Sequence, residues 1–174
     1  MNKAVFLDRD GVINKARIIN GKPYPPSTLD ELIIFSGVKK ALRFLRESHY
    51  LLICITNQPD VSRKITTQYD VEKLNNKLLI ELPLDSIYCC YHDDSDMCDC
   101  RKPKPGLILK AALDFDIDLK KSFMIGDRWK DIEAGIASGC KTIFIDYNYI
   151  EKKPNFFDFK ANSLLEASQI ILRI

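Results

Sequence analysis

The sequence predicts an α/β fold in which a parallel β-sheet is covered by helices on both faces. Apolar segments of strand length alternate along the chain with segments of helical periodicity. The strand segments are continuously apolar, as expected for strands buried on both sides. Polar clusters follow the strand segments, which places them together at one edge of such a sheet. The 174 residues suit one domain, and we expect it to span residues 1–174.

The strands are predicted from short apolar runs that end in polar residues. They cover residues 5–7, 50–55, 87–91, 122–125 and 142–145. Between the first two, residues 15–31 contain Gly21 and three prolines, which excludes a long helix. We expect this segment to form a loop or flap beside the first strand, followed by a short extended piece at 32–35.

The helices are predicted from apolar residues that repeat on one face. The first opens at Gly37, and the others cover residues 66–82, 107–115, 129–138 and 164–172. Gly139 follows the fourth helix, as is typical of a helix C-terminus.

Composition excludes several classes of protein. The net charge of +2 is too small to indicate nucleic-acid binding, and no apolar run reaches the length of a membrane span. We therefore expect a chain that binds neither nucleic acid nor membrane, and we also expect it to be cytoplasmic and monomeric. In that compartment, the six cysteines are expected to be free or metal-bound rather than paired in disulfides.

Two acidic residues stand at the end of the first strand. Asp8 and Asp10 are two positions apart, and side chains at this spacing point the same way in an extended chain. Adjacent carboxylates raise each other's pKa unless a cation lies between them, and oxygen ligands suit Mg²⁺. A polar turn after the strand is the alternative interpretation.

Other polar residues are predicted to reach the same edge. They are Thr56 after the second strand, Lys102 after the loop that follows the third, and Asp127 after the fourth. Taken singly, Thr56 could be a turn residue and Lys102 a solvated charge. Asp131 is either a group behind the metal ligands or an acid that favours the N-terminus of its helix.

A cysteine-rich loop follows the third strand. Cys90, His92, Cys98 and Cys100 supply three sulfurs and one imidazole, which is a complete tetrahedral zinc set. Four protein ligands would leave no open position, so we predict a structural Zn²⁺. The alternative is free thiols in a polar loop.

The motifs DRDGVIN, ITN, RKPKPG and GDRWKD occur in this order, and together they resemble those of the haloacid dehalogenase (HAD) superfamily of phosphohydrolases. The resemblance implies a Rossmann-like fold with Asp8 as the nucleophile and Asp10 as the general acid and base. Mg²⁺ would bind Asp8, the Asp10 backbone carbonyl and Asp127. Thr56 and Lys102 would hold the transferring phosphoryl group.

The zinc loop is similar to that of the branch of heptose 1,7-bisphosphate and histidinol-phosphate phosphatases, which lack a separate cap domain. This resemblance implies a small phosphorylated sugar as substrate, cleaved at C7, in the biosynthesis of nucleotide-activated heptose for a surface polysaccharide. The residues expected to contact substrate are Asn57, Gln58, Arg63, Arg101, Lys102 and Arg128. The chain departs from the branch pattern at Pro59-Asp60, in residues 19–24 and at Arg128, all in predicted specificity loops.

Three alternatives to a heptose bisphosphate phosphatase stay open. Histidinol phosphate, or another small sugar phosphate, is the enzymatic alternative. A phospho-acceptor receiver also uses Asp, Thr, Lys and Mg²⁺, but the third predicted strand ends in Tyr91-His92 without an acid. A zinc-stabilised binding module would leave the Asp8 and Asp10 pair without a role.

Overall fold

The computed structural model describes all 174 residues, and its core is a six-stranded parallel sheet. The four inner strands are paired on both sides, and the outer two are edge strands. In spatial order the strands are β5 (Ser86–Cys90), β4 (Tyr50–Asn57), β1 (Lys3–Leu7), β6 (Phe123–Gly126), β7 (Lys141–Ile145) and β8 (Phe159–Ala161).

Helices cover both faces of the sheet, as the sequence predicted. One face carries α1 (Val38–Glu47), α2 (Gln68–Glu81) and α5 (Leu164–Ile171), and the other carries α3 (Gly106–Asp114) and α4 (Trp129–Ser138). None of the helices is both long enough and apolar enough to span a bilayer, and the longest has 14 residues.

Side chains along β1 alternate between two apolar cores. Val5 and Leu7 pack in the core beneath α1 and α5, whereas Ala4 and Phe6 pack in the core beneath α3. All four are fully buried. The strand is therefore apolar from Ala4 to Leu7, and the acidic residues of the site begin only where it leaves the sheet.

Two features of the fold were not predicted. Strand β8 has only three residues and no long apolar run to indicate it. The flap contains an antiparallel hairpin of β2 (Arg17–Ile19) and β3 (Lys22–Tyr24). Asn20 and Gly21 form its turn with positive φ angles, and an Asn-Gly pair is a strong hairpin signal that could have predicted it. Residues 32–35 form a single bridge, from Ile34 to Asn14.

No separate cap domain lies between the strands of the sheet. Only the hairpin and α1 separate β1 from β4, and only α2 separates β4 from β5. The cysteine-rich loop then joins β5 to α3. Access to the carboxyl edge of the sheet is therefore shaped by loops and by the hairpin.

Candidate active site

The segments that follow β1, β4, β5 and β6 meet at the carboxyl edge of the sheet around a cavity of about 270 Å³. Its wall is almost entirely polar, and the hairpin closes one side. The lining residues are Asp8, Asp10, Lys22, Pro23, Tyr24, Pro25, Thr56, Asn57, Pro59, Asp60, Arg63, Asp94, Arg101, Lys102, Arg128, Lys130 and Asp131. The structure thus brings the sequence-predicted residues of four separate motifs to one place.

A buried lysine joins two carboxylates at the floor of the cavity. Lys102 Nζ lies 2.6 Å from Asp8 Oδ1 and 2.6 Å from Asp131 Oδ1, and it donates to the Ile55 carbonyl at 2.7 Å. Asp131 also accepts from the Arg128 backbone N–H at 3.0 Å. Asp131 therefore caps the first turn of α4, as one of its two interpretations expected, and also pairs with the lysine.

The carboxylates outnumber the lysine. Oxygens of Asp8, Asp127 and Asp131 all lie within 4.8 Å of one another, and all three residues are buried. Burial raises the pKa of Asp8 to about 7, because the Lys102 charge only partly offsets burial and the charge of Asp131. Burial, with the charges of Asp8 and Asp131, raises the pKa of Asp127 well above its usual range. A further cation would therefore relieve repulsion here.

The geometry around Asp127 fits a divalent metal ion. Its Oδ1 is buried and has no hydrogen-bond partner. Gly11 permits the close approach of this carboxylate, because a Cβ at position 11 would lie 1.9 Å from Asp127 Oδ2. An unpartnered carboxylate oxygen among other carboxylates is the donor set that a hard cation such as Mg²⁺ prefers.

The carboxylate of Asp10 lies apart from this group. Arg9 donates to it from Nε at 3.1 Å and from Nη2 at 3.0 Å, Asn14 donates at 2.9 Å and Gln58 at 2.8 Å. The strand-tip argument expected the Asp8 and Asp10 carboxylates to share a cation. In the structure, the guanidinium of Arg9 serves Asp10, and Asp8 faces Asp127 and Asp131 instead.

Arg9 is a functional candidate that sequence reasoning missed. Its side chain is fully buried, and its Nη1 donates to Asn75 of α2 at 2.8 Å. A buried charge is tolerated only when it is paired and hydrogen-bonded, as here. The sequence did not indicate that Arg9 pairs with Asp10, because side-chain alternation along a strand predicts that Arg9 points away from both Asp8 and Asp10.

The polar end of β4 supports the lysine and Asp10. Gln58 is buried behind the cavity and donates to Thr56 Oγ1 at 3.0 Å as well as to Asp10. Asn57 accepts from the Lys102 backbone N–H at 3.1 Å and donates to the Lys102 carbonyl at 3.0 Å. Asn57 and Thr56 line the cavity, whereas Gln58 does not.

The three arginines predicted to contact substrate all line the cavity, and each already has an acidic partner. Arg63 pairs with Asp93 at 2.6 Å, and Arg101 donates to Asp94 at 2.7 Å. Arg128 pairs with Glu151. Nη1 of Arg101 is buried and has no hydrogen-bond partner, so it is the one guanidinium nitrogen that is both enclosed and free.

The four predicted zinc ligands form a compact cluster. Sulfur–sulfur distances run from 3.1 Å (Cys100 to Cys90) to 3.7 Å (Cys90 to Cys98), and His92 Nδ1 is 3.3 Å from Cys100 Sγ. Tetrahedral zinc with Zn–S bonds of ~2.3 Å places sulfurs about 3.8 Å apart. The cluster could therefore hold a metal ion of this kind.

Comparisons with known proteins agree with this geometry. A family model described as HAD-hydrolase-like matches residues 99–156. A D-glycero-β-D-manno-heptose-1,7-bisphosphate 7-phosphatase from Helicobacter pylori is 41% identical over 146 residues, which cover 80% of this chain and 80% of that protein. A D-glycero-α-D-manno-heptose-1,7-bisphosphate 7-phosphatase from Campylobacter jejuni is 36% identical over 160 residues, which cover 89% of this chain and 88% of that protein.

A solved structure shares the fold. It is the D,D-heptose 1,7-bisphosphate phosphatase from B. bronchiseptica complexed with magnesium and phosphate. The TM-score is 0.83 at 24% identity, with 98% of each chain covered.

Asp127→Asn is expected to stabilise the chain in Mg²⁺-free buffer, because it removes a buried charge whose pKa is raised in the fold. Below about pH 4 the carboxyl is protonated in both the folded and the unfolded chain, so the gain is small. As the pH rises, the unfolded chain loses this proton first and native stability falls relative to the variant. We expect a gain in Tm of roughly 2–4 °C at pH 8, or about 1 kcal/mol.

Thermal unfolding from pH 4 to pH 8 measures this effect, without a chelator so that any ion on the cysteine cluster stays in place. Asp30→Asn, at an exposed position, is the control and should change Tm little at any pH. A gain for Asp127→Asn that shrinks as the pH rises would contradict the assignment.

Proposed function

The chain belongs to the family of D-glycero-D-manno-heptose-1,7-bisphosphate 7-phosphatases, within the HAD-like hydrolases, and from this premise we propose its reaction. It hydrolyses the C7 phosphomonoester of D-glycero-D-manno-heptose 1,7-bisphosphate and leaves the C1 phosphate in place. The observation that carries the proposal is the buried Lys102, which holds one oxygen of Asp8 at the cavity floor.

Asp8 is the proposed nucleophile. Lys102 holds its Oδ1, and its Oδ2 accepts no hydrogen bond from the chain. In the first step an oxygen of Asp8 forms a bond to phosphorus while the bond from phosphorus to the ester oxygen breaks. Burial opposes the charge on Lys102, but the charges of Asp131 and Asp8 outweigh it and raise the lysine pKa. The lysine therefore stays charged.

Asp10 is the proposed general acid and base. It gives a proton to the leaving sugar oxygen in the first step, then takes one from the water that releases phosphate from Asp8. Arg9, Asn14 and Gln58 hold this carboxylate in one orientation beside the cavity. We assign Gln58 to this positioning role, because its amide donates to Asp10 and the residue does not line the cavity.

Mg²⁺ is the proposed cofactor of the carboxylate group. Asp8 and Asp127 would hold it, together with the Asp10 backbone carbonyl, as the family resemblance implies. Bound there, the ion would neutralise charge on the transferring phosphoryl group. Thr56 and Lys102 line the same end of the cavity and would bind phosphoryl oxygens.

The C1 phosphate is proposed to bind at the arginine-lined side of the cavity. Arg101 lines this side, and a guanidinium suits a phosphate by paired hydrogen bonds. Arg63, Arg128 and Asn57 line the same cavity and complete the proposed contacts. A substrate with one phosphate and a cationic end, such as histidinol phosphate, would bring no second anion to the three arginines that line the cavity.

The cysteine cluster is proposed to hold a structural Zn²⁺. Its last ligand, Cys100, is followed at once by Arg101 and Lys102. Fixing the loop would therefore fix both cations relative to Asp8.

A cytoplasmic monomer is proposed as the working form, with one phosphatase domain over residues 1–174. None of the six cysteines is paired in a disulfide, which suits a reducing compartment.

Phosphate release from a substrate panel tests the proposed function. The panel holds both anomers of heptose 1,7-bisphosphate, because relatives named for each anomer align with this chain, together with histidinol phosphate and fructose 1,6-bisphosphate. We expect one heptose anomer to be turned over well above the rest. Asp8→Asn should lower kcat at least about 1,000-fold, because it removes the nucleophile.

Asp30→Asn, an exposed carboxylate, is the matched control and should keep native activity. Preferred turnover of histidinol phosphate would overturn the substrate and keep the mechanism. Full activity in Asp8→Asn would overturn the mechanism itself.

Cys98→Ser is expected to abolish stoichiometric zinc and to lower both Tm and activity, because the loop before Arg101 loses its anchor. Elemental analysis and thermal unfolding measure this. Cys89→Ser, one residue before the cluster, is the matched control and should keep one zinc per chain. Equal zinc content in the two variants would show that the cluster does not hold the metal.

A further inference from the structure

The segment after β7, residues 147–153, lies against the metal side of the cavity. We call it the β7 strap. The Tyr149 hydroxyl donates to Asp127 Oδ2 at 2.8 Å, and the Glu151 carboxylate pairs with Arg128. The Ile150 backbone N–H donates to the Gly21 carbonyl at 2.8 Å. The strap therefore touches a proposed metal ligand, a proposed substrate contact and the hairpin turn.

Aromatic stacking holds Tyr149 in place. The rings of Phe35 and Tyr147 are nearly parallel, with centroids 6.1 Å apart, and the Tyr147 and Tyr149 rings follow at 5.7 Å. Phe35 packs against the main apolar core. These three stacked rings thus connect the Tyr149 hydroxyl, which contacts Asp127, to the main apolar core.

Two further contacts hold the middle and the C-terminal end of the strap. A Cβ at Gly21 would lie 2.5 Å from the Ile150 side chain, so the hairpin turn and the strap fit closely. Lys152 pairs with Glu133 at 2.8 Å and lies 4.2 Å from the centroid of Trp129. These contacts restrict where the Tyr149 hydroxyl can lie.

The Tyr149 hydroxyl hydrogen-bonds only one of the two carboxylate oxygens of Asp127. Oδ2 is satisfied by Tyr149, whereas Oδ1 is buried and without a partner. Burial and the nearby charge of Asp127 raise the pKa of Tyr149, so the phenol stays protonated and can donate. A carboxylate held through one oxygen presents the other in a fixed direction.

We infer that Tyr149 is a positioning residue for the metal site: it holds Asp127 through Oδ2 and directs Oδ1 towards the divalent cation. This inference rests on the metal dependence in the proposed function. It assigns a role to the β7 strap, which contains none of the motifs that carry the catalytic residues. Hydrogen bonds to a metal ligand of this kind typically contribute about 10–100-fold to metal affinity or activity.

Titration calorimetry of Mg²⁺ into the full-length chain, with its zinc content verified, tests the inference. Tyr149→Phe keeps the ring and removes only the hydroxyl, and we expect it to weaken the Mg²⁺ Kd about tenfold. The Mg²⁺ concentration for half-maximal activity should shift by a similar factor, and kcat at saturating Mg²⁺ should stay within about twofold of native. Tyr147→Phe is the matched control, because the Tyr147 hydroxyl makes no hydrogen bond.

Thermal unfolding in Mg²⁺-free buffer accompanies the titration and verifies that each variant is folded. Tyr149→Leu also lacks the hydroxyl and should lose at least as much affinity as Tyr149→Phe. Unchanged or tighter Mg²⁺ binding in Tyr149→Phe would overturn the inference, as would equal losses in Tyr149→Phe and Tyr147→Phe. If the native chain bound no Mg²⁺, the metal dependence of the proposed function would fail together with this inference.

Discussion

The ion pairs that join Lys102 to Asp8 and Asp131 are the interactions on which the rest of the site depends. Lys102 Nζ lies 2.6 Å from both Asp8 and Asp131, and only 3% of the lysine side chain is exposed. Burying this charge is tolerable only with its partners in place. Asp8, Asp127 and Asp131 exceed it in negative charge, so the same geometry that satisfies the lysine leaves the site ready for a divalent cation.

In the absence of a cap domain, two loop elements enclose the cavity, and the β7 strap contacts the hairpin and the metal side of the site. The hairpin contributes Lys22 and Tyr24 to one wall, and the cysteine-rich loop contributes Arg101 and Lys102 to another. The β7 strap ties the hairpin turn to the Asp127 side through Ile150 and Tyr149. Substrate selection and metal binding therefore depend on segments that are connected to each other by a few specific contacts.

Sequence reasoning predicted what depends on local pattern. Apolar runs such as β1 and β4 are buried on both faces, so the strands and the polar residues at their ends could be located from periodicity. Contacts between distant segments could not be predicted in this way, because no local pattern encodes them. Examples are the hydrogen bonds from Arg9 to Asn75 and from Tyr149 to Asp127. The expectation that the Asp8 and Asp10 carboxylates share one cation failed for the same reason, since the Arg9 guanidinium pairs with Asp10 in the structure.

Proton release during Mg²⁺ binding tests most directly the claim that the buried carboxylates require a cation. Titration calorimetry at pH 7, in two buffers of different ionisation enthalpy, measures the protons exchanged. Since the pKa of metal-free Asp8 is about 7, the account predicts that binding one Mg²⁺ releases about half a proton from this residue, and Asp127, whose pKa is also raised, adds to the release. Release should decline at pH 9, where Asp8 is already ionised. Mg²⁺ binding without proton release at pH 7 would contradict the account.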